Sequence, residues 1–120
     1  MKKVLVIDDE KIIRRSLKRI LSQSGYEVHE AEDGKAGLLQ WQSLQPDMVM
    51  VDWIMPGMNG KQLLSEAGSL KDGTKIVVMS AYQKETEKIF WQDHGVMAFI
   101  AKPFPNIVDL QKVLKGILDE

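Results

Sequence analysis

With 120 residues the chain is one domain, large enough for a real core and too short for two. Its 16 basic and 17 acidic side chains leave a net charge of −1, which argues against a nucleic acid or an anionic membrane as a direct partner. It has no cysteine, hence no disulfide or thiolate site, and no apolar run of signal-peptide or membrane-spanning length, so a reducing cytoplasm suits it.

Gly25, Pro46, Asp72-Gly73 and Gly95 punctuate the chain into five segments. Each opens with an apolar stretch, at residues 4–7, 26–31, 48–51, 76–79 and 96–101, and runs on into a helical pattern. The second stretch mixes Glu27, His29 and Glu30 with Tyr26 and Val28, as an edge strand would. In the first helix Ile13, Leu17, Ile20 and Leu21 share one face, with Asp9 expected as N-cap and Gly25 near the C-cap. The second helix is expected to start at Asp33 and turn Ala36, Leu39 and Leu44 inward. The third follows Asn59-Gly60 and buries Leu63, Leu64, Ala67 and Leu70; the fourth turns Ile89 and Phe90 inward. The last buries Ile107, Leu110, Leu114, Ile117 and Leu118. Five alternating βα units predict an α/β fold, a parallel sheet with helices on both faces and right-handed crossovers. Met48, Met50 and Met79 read as core filler rather than as a ligand set.

The polar residues that matter fall at strand ends. The first strand ends in Asp8-Asp9, the third in Asp52, the fourth in Ser80, and the fifth segment in Lys102-Pro103. In open α/β sheets that carboxyl edge is where ligands bind. Taken singly, an Asp there starts a turn, a Ser ends a strand and a Lys is solvated surface. Taken together, three carboxylates repel one another by about 1 kcal/mol per pair in water at 4 Å, and about 4 kcal/mol at an effective dielectric of 20. Such a cluster usually holds a cation, and oxygen ligands without His or Cys favour Mg2+. Mg2+ keeps positions for phosphate oxygens, a lysine neutralises a phosphoryl group and a serine hydroxyl can hydrogen-bond it, so the edge points to phosphoryl chemistry.

With those residues in place the chain resembles the receiver domain of two-component response regulators, the CheY-like family. The resemblance spans residues 1–120 as a single domain and rests on four motifs in order: Asp8-Asp9-Glu10, Asp52 through Gly60 (Asp52-Trp53-Ile54-Met55-Pro56-Gly57-Met58-Asn59-Gly60), Ser80-Ala81 and Lys102-Pro103-Phe104. Ser80, Phe99 and Asn59 stand where Thr, Tyr and Asp are frequent in the family. The resemblance implies a flavodoxin-like five-stranded sheet of order 2-1-3-4-5, doubly wound with five helices, and a cis bond at Lys102-Pro103. It further implies Asp52 as phosphoacceptor and Mg2+ held by Asp9, Asp52 and the backbone carbonyl of Ile54, with Asp8 direct or through water. The phosphoryl donor would be a phosphohistidine of a sensor histidine kinase or phosphotransfer protein, and the domain would not be an enzyme in the turnover sense. Ser80 and Phe99 would form the switch, acting on a face of helix four, strand five and helix five that could also serve a homodimer. Ile54 and Tyr82 would flank the hydrolytic water and set the lifetime of the phosphoryl group.

Ile12 lies off the buried stripe of the first helix beside Arg15 and Arg19, a candidate docking patch for the kinase. Trp91 is a second candidate for a partner surface, although partial burial against its own helix accounts for it equally well. A phosphatase of the haloacid dehalogenase type is the alternative, but it needs an Asp-x-Asp pair, which neither Asp8-Asp9 nor residues 52–54 supply. A flavodoxin-like carrier would need a phosphate-binding loop where Asp8-Asp9-Glu10 stands, and Gly60-Lys61 is followed by Gln62 rather than by the Ser or Thr of a nucleotide-binding loop. In His29-Glu30 the histidine is read as an ordinary surface residue rather than as a phosphorylated one. No output domain is expected within these residues, whether the chain is a stand-alone regulator, a receiver from a longer protein or part of a hybrid kinase.

Overall fold

The computed structural model describes residues 1–81, 87–104 and 106–119. Its strands are β1 (Lys3–Ile7), β2 (Glu27–Ala31), β3 (Met48–Asp52), β4 (Lys75–Ser80) and β5 (Val96–Ala101). They pair in parallel in the order β2-β1-β3-β4-β5, as expected. Between them run α1 (Lys11–Gln23), α2 (Gly34–Leu44), α3 (Gly60–Ala67) and α4 (Lys88–Asp93), and α5 (Ile107–Leu118) closes the chain. A single 3-10 turn, Gly68–Lys71, follows α3.

The two-residue period of the strands divides the core in two. Val4, Val6, Met48, Met50, Val77 and Met79 face α1 and α5, where Leu17, Ile20, Leu21, Leu110, Leu114 and Leu118 meet them. Leu5, Ile7, Val49, Val51, Ile76 and Val78 face the other way, towards Trp41, Leu63, Leu64 and Ala67. All five residues of β3 are buried, so its terminal Asp52 has no route to bulk water along its own strand. β2 is an edge strand, where His29 Nε2 and Glu27 Oε2 share a hydrogen bond at 2.7 Å near the surface.

Several inward assignments are corrected. Leu39 is 65% exposed, because α2 meets the sheet through Gly37 and Trp41 instead. A Cβ at Gly37 would stand 2.6 Å from the Ile7 side chain, so the helix approaches too closely for any other residue there, and Leu39 lies on the far side. Ile89 is 73% exposed, since the short α4 turns Phe90 and Trp91 to the core. Ile107 is exposed in the first turn of α5, ahead of the Leu110, Leu114 and Leu118 row that reaches the sheet. Leu70 packs against the core as expected, but half-buried and from the 3-10 turn rather than from α3. The N-cap of α1 is Glu10 rather than Asp9, and it caps without its side chain.

Candidate functional site

Each strand end delivers one part of the site. At the end of β1 the Asp8 N–H donates to the Ala31 carbonyl at 3.1 Å, so the chain leaves the sheet immediately afterwards. Asp8 Oδ1 then accepts the Glu10 N–H at 2.9 Å, an Asx-type turn that folds Asp9 and Glu10 back over the edge. At the end of β3 the Trp53 N–H donates to the Met79 carbonyl at 2.8 Å, and the Gly60 N–H to the Trp53 carbonyl at 3.0 Å. Only glycine fits there, because a Cβ on Gly60 would lie 2.9 Å from the Asp52 carbonyl oxygen and from Trp53 Cα. Asn59 and Gln62 close α3 with a reciprocal capping box, so the asparagine that departs from the family pattern has a capping role. At the end of β4 Ser80 is buried, and its carbonyl accepts the Lys102 N–H at 2.9 Å. The Lys102-Pro103 bond is cis, as expected.

These ends converge. Carboxylate oxygens of Asp8, Asp9, Glu10 and Asp52 all lie within 4.8 Å of one another. Lys102 reaches across them, its side chain only 7% exposed, with Nζ 2.7 Å from Asp8 Oδ2, 3.3 Å from Asp52 Oδ2 and 3.4 Å from Glu10 Oε1. The approach to Asp8 Oδ2 is one of charge rather than of hydrogen-bond direction, and that fully buried oxygen accepts no hydrogen bond. Burial, then the Asp8 charge and the contact with Asp9, push the Asp52 carboxyl up to about 7, with Lys102 pulling the other way. For Lys102, burial lowers the ammonium's affinity for its proton, but the close contacts with Asp8 and Asp52 and their charges outweigh it and the net shift is upward. A buried oxygen without a donor, in a set of four carboxylates opposed by one ammonium, fits a hard divalent cation with oxygen ligands. Glu10 was not expected in this cluster as a ligand, although its place directly after Asp8-Asp9 was the available signal.

Of the other expected residues, Ile54 is exposed beside the cluster and its N–H donates to Asp52 Oδ1 at 3.3 Å. Phe99 is half-buried on β5, away from the carboxylates, and stacks on Trp91 at 5.1 Å. Trp91 also meets Trp53 edge-on at 5.6 Å, so most of its ring is committed to its own domain and less is left for a partner. Ile12 is 80% exposed and shares a shallow groove with Arg15 and Arg19. Tyr82 lies outside the described residues.

A sheet of this order, with a lysine-spanned acidic pocket at the switch point between β1 and β3, defines the signal-receiving modules of two-component systems. A family model for the response regulator receiver domain matches residues 4–115, and the chain belongs to that family. It is 38% identical over 104 residues to chemotaxis protein CheY of Thermotoga maritima, covering 86% of this chain and 87% of that one. To response regulator MprA of Mycolicibacterium vanbaalenii it is 35% identical over 102 residues, 85% of this chain but 44% of that protein, so the chain spans less than half of such relatives. Among solved structures, response regulator TrrA of Thermotoga maritima in complex with Mg2+-BeF superimposes with a TM-score of 0.82 at 32% identity, covering 98% of this chain and 99% of that one. No described helix is long and apolar enough to cross a membrane.

Proposed function

We propose that the domain takes a phosphoryl group onto Asp52 from a phosphohistidine on a sensor histidine kinase or phosphotransfer protein. The observation that carries this is Asp52 itself, a buried carboxylate 3.3 Å from a buried lysine and ringed by acids at the carboxyl edge of the sheet. An Asp52 carboxylate oxygen attacks phosphorus, the phosphorus–nitrogen bond breaks, and its electron pair leaves with the imidazole, giving an aspartyl phosphate. The protein's part is alignment and charge neutralisation: Lys102 is positioned to follow the charge onto the phosphoryl oxygens, and Ser80 to donate to one of them. Mg2+, carried by the TrrA neighbour together with BeF, would be held here by Asp9, Asp52 and the Ile54 carbonyl, with Asp8 and Glu10 beside it, and would supply charge neutralisation.

On this reading the domain modifies only itself. The switch runs from Ser80 to Phe99 and the α4–β5–α5 face, Ile12 with Arg15 and Arg19 docks the kinase, and Ile54 with Tyr82 sets the phosphoryl lifetime. Incubation with acetyl phosphate and Mg2+ should add one phosphoryl group by mass, and Asp52→Asn should add none. An undiminished adduct on that variant would remove the reading.

A further inference from the structure

Arg14 belongs to none of the motifs above, yet its guanidinium ties two strand ends together. Its Nη1 donates to the backbone carbonyl of Asp8 at 2.8 Å and its Nε to Glu30 Oε1 at 3.2 Å. The side chain is 11% exposed, so this is a buried fork and not a surface pair. Glu30 is also approached by Arg15 at 3.4 Å and Lys18 at 3.9 Å, but both of those side chains are at least half exposed. Of these three cations, Arg14 is the one with a hydrogen bond to the acidic motif.

The peptide after Asp8 is planar, so the Asp8 carbonyl and the Asp9 N–H move as one rigid unit. Asp8 is already held by its N–H on Ala31, and its Oδ1 by the Glu10 N–H. The remaining freedom is rotation of that peptide plane, which sets the direction in which the exposed Asp9 carboxylate leaves β1. Arg14 removes that freedom. A lysine would offer one nitrogen as a point charge to both acceptors, whereas guanidinium offers two separate nitrogens in one fixed plane and so fixes the carbonyl's direction.

We infer that Arg14 is a positioning residue for the cation site: anchored on Glu30, it aims Asp9 by holding the Asp8 carbonyl. The inference rests on the phosphoacceptor reading and adds to it a residue that touches neither phosphoryl group nor metal. Groups that orient metal ligands from behind typically change affinity about 10–100-fold when removed. Losing Arg14 does not leave Glu30 without a cation, since Arg15 and Lys18 still face it.

The test is Mg2+ affinity, measured by titration calorimetry on the intact chain, beside the rate of labelling by acetyl phosphate at saturating Mg2+. Arg14→Met should weaken Mg2+ binding about tenfold while leaving the saturated labelling rate within about twofold of the parent. Arg14→Lys should recover little of the loss. Glu30→Gln, which loosens the anchor without touching α1, should weaken binding about threefold and serves as the second probe should Arg14→Met fail to fold. Unchanged Mg2+ affinity in Arg14→Met, or in Glu30→Gln if that is the folded variant, overturns the inference. So does a loss of saturated rate at constant affinity, which would mark general damage. A parent protein that binds Mg2+ but takes no phosphoryl group would sink the phosphoacceptor reading, and the inference with it. Labelling of the parent together with an Mg2+ affinity that Arg14→Met leaves unchanged sinks the positioning role alone.

Discussion

Lys102 Nζ and Asp8 Oδ2 stand 2.7 Å apart with almost no access to water, one from the loop after β5 and the other from the end of β1. The same ammonium faces Asp52 at 3.3 Å, so one cation holds together charges contributed by separate strands. Breaking a buried pair by deleting one partner is more damaging than a surface pair suggests, because the other charge is left uncompensated. Lys102→Ala should therefore cost about 3 kcal/mol in urea unfolding without Mg2+. Added Mg2+ should return part of it. A loss below about 0.5 kcal/mol, the range of ordinary surface substitutions, would mean that the carboxylates find relief elsewhere.

The raised pKa of Asp52 makes stability depend on pH in a definite sense. An acid that binds its proton more tightly when folded, at about 7 against an ordinary 3.8, contributes most below pH 4. That contribution is lost as pH rises towards 7. Asp52→Asn abolishes the dependence, so its advantage over the parent should be small at pH 4 and grow to about 1–2 kcal/mol at pH 8, below the full shift because Lys102 shares the proton balance. Parallel stability curves for the two proteins between pH 4 and 8 would contradict the assignment.

Mg2+ should stabilise the folded chain in a concentration-dependent way, since the four carboxylates converge only in the native state. At 100 times its dissociation constant the gain is about 2.7 kcal/mol. Asp9→Asn should lose most of this increment while unfolding normally without the ion. Thermal scans across Mg2+ concentrations are sufficient to show it.

The stacking of Phe99 on Trp91 sets a condition on any switch through Phe99, because rotation must first separate the rings. Such pairs are worth about 0.5–1.5 kcal/mol beyond area burial. Trp91→Leu should raise the pre-existing switched population about fivefold, equivalent to about 1 kcal/mol. Amide shifts of β5 should then lie along the line towards those of the Mg2+–BeF-treated protein. Shifts that stay at the untreated positions would show that the stack does not restrain Phe99.

The site-bearing strand ends were legible because Asp8, Asp52, Ser80 and Lys102 each follow an apolar run immediately. Helix faces were less so. Leu39 and Ile89 carry the right hydrophobicity, but the approach of α2 is decided by the missing Cβ of Gly37, and that of α4 by Phe90 and Trp91. Composition records neither. Arg14 escaped for another reason: an arginine among Arg15, Lys18 and Arg19 looks like one more solvated charge until the Asp8 carbonyl is seen beneath it.

The aromatic contact between Trp53 and Trp91 has a spectroscopic side. Two indoles 5.6 Å apart and inclined at 81° are close enough for their electronic transitions to mix, in a handed arrangement fixed by the fold. One of them adjoins Asp52 in the chain and the other rests on Phe99. Near-ultraviolet circular dichroism therefore carries a native optical readout of the path between Asp52 and β5, with no label attached. The third tryptophan, Trp41, donates to Thr74 at 3.2 Å from another part of the core and supplies a constant background against which that change is measured.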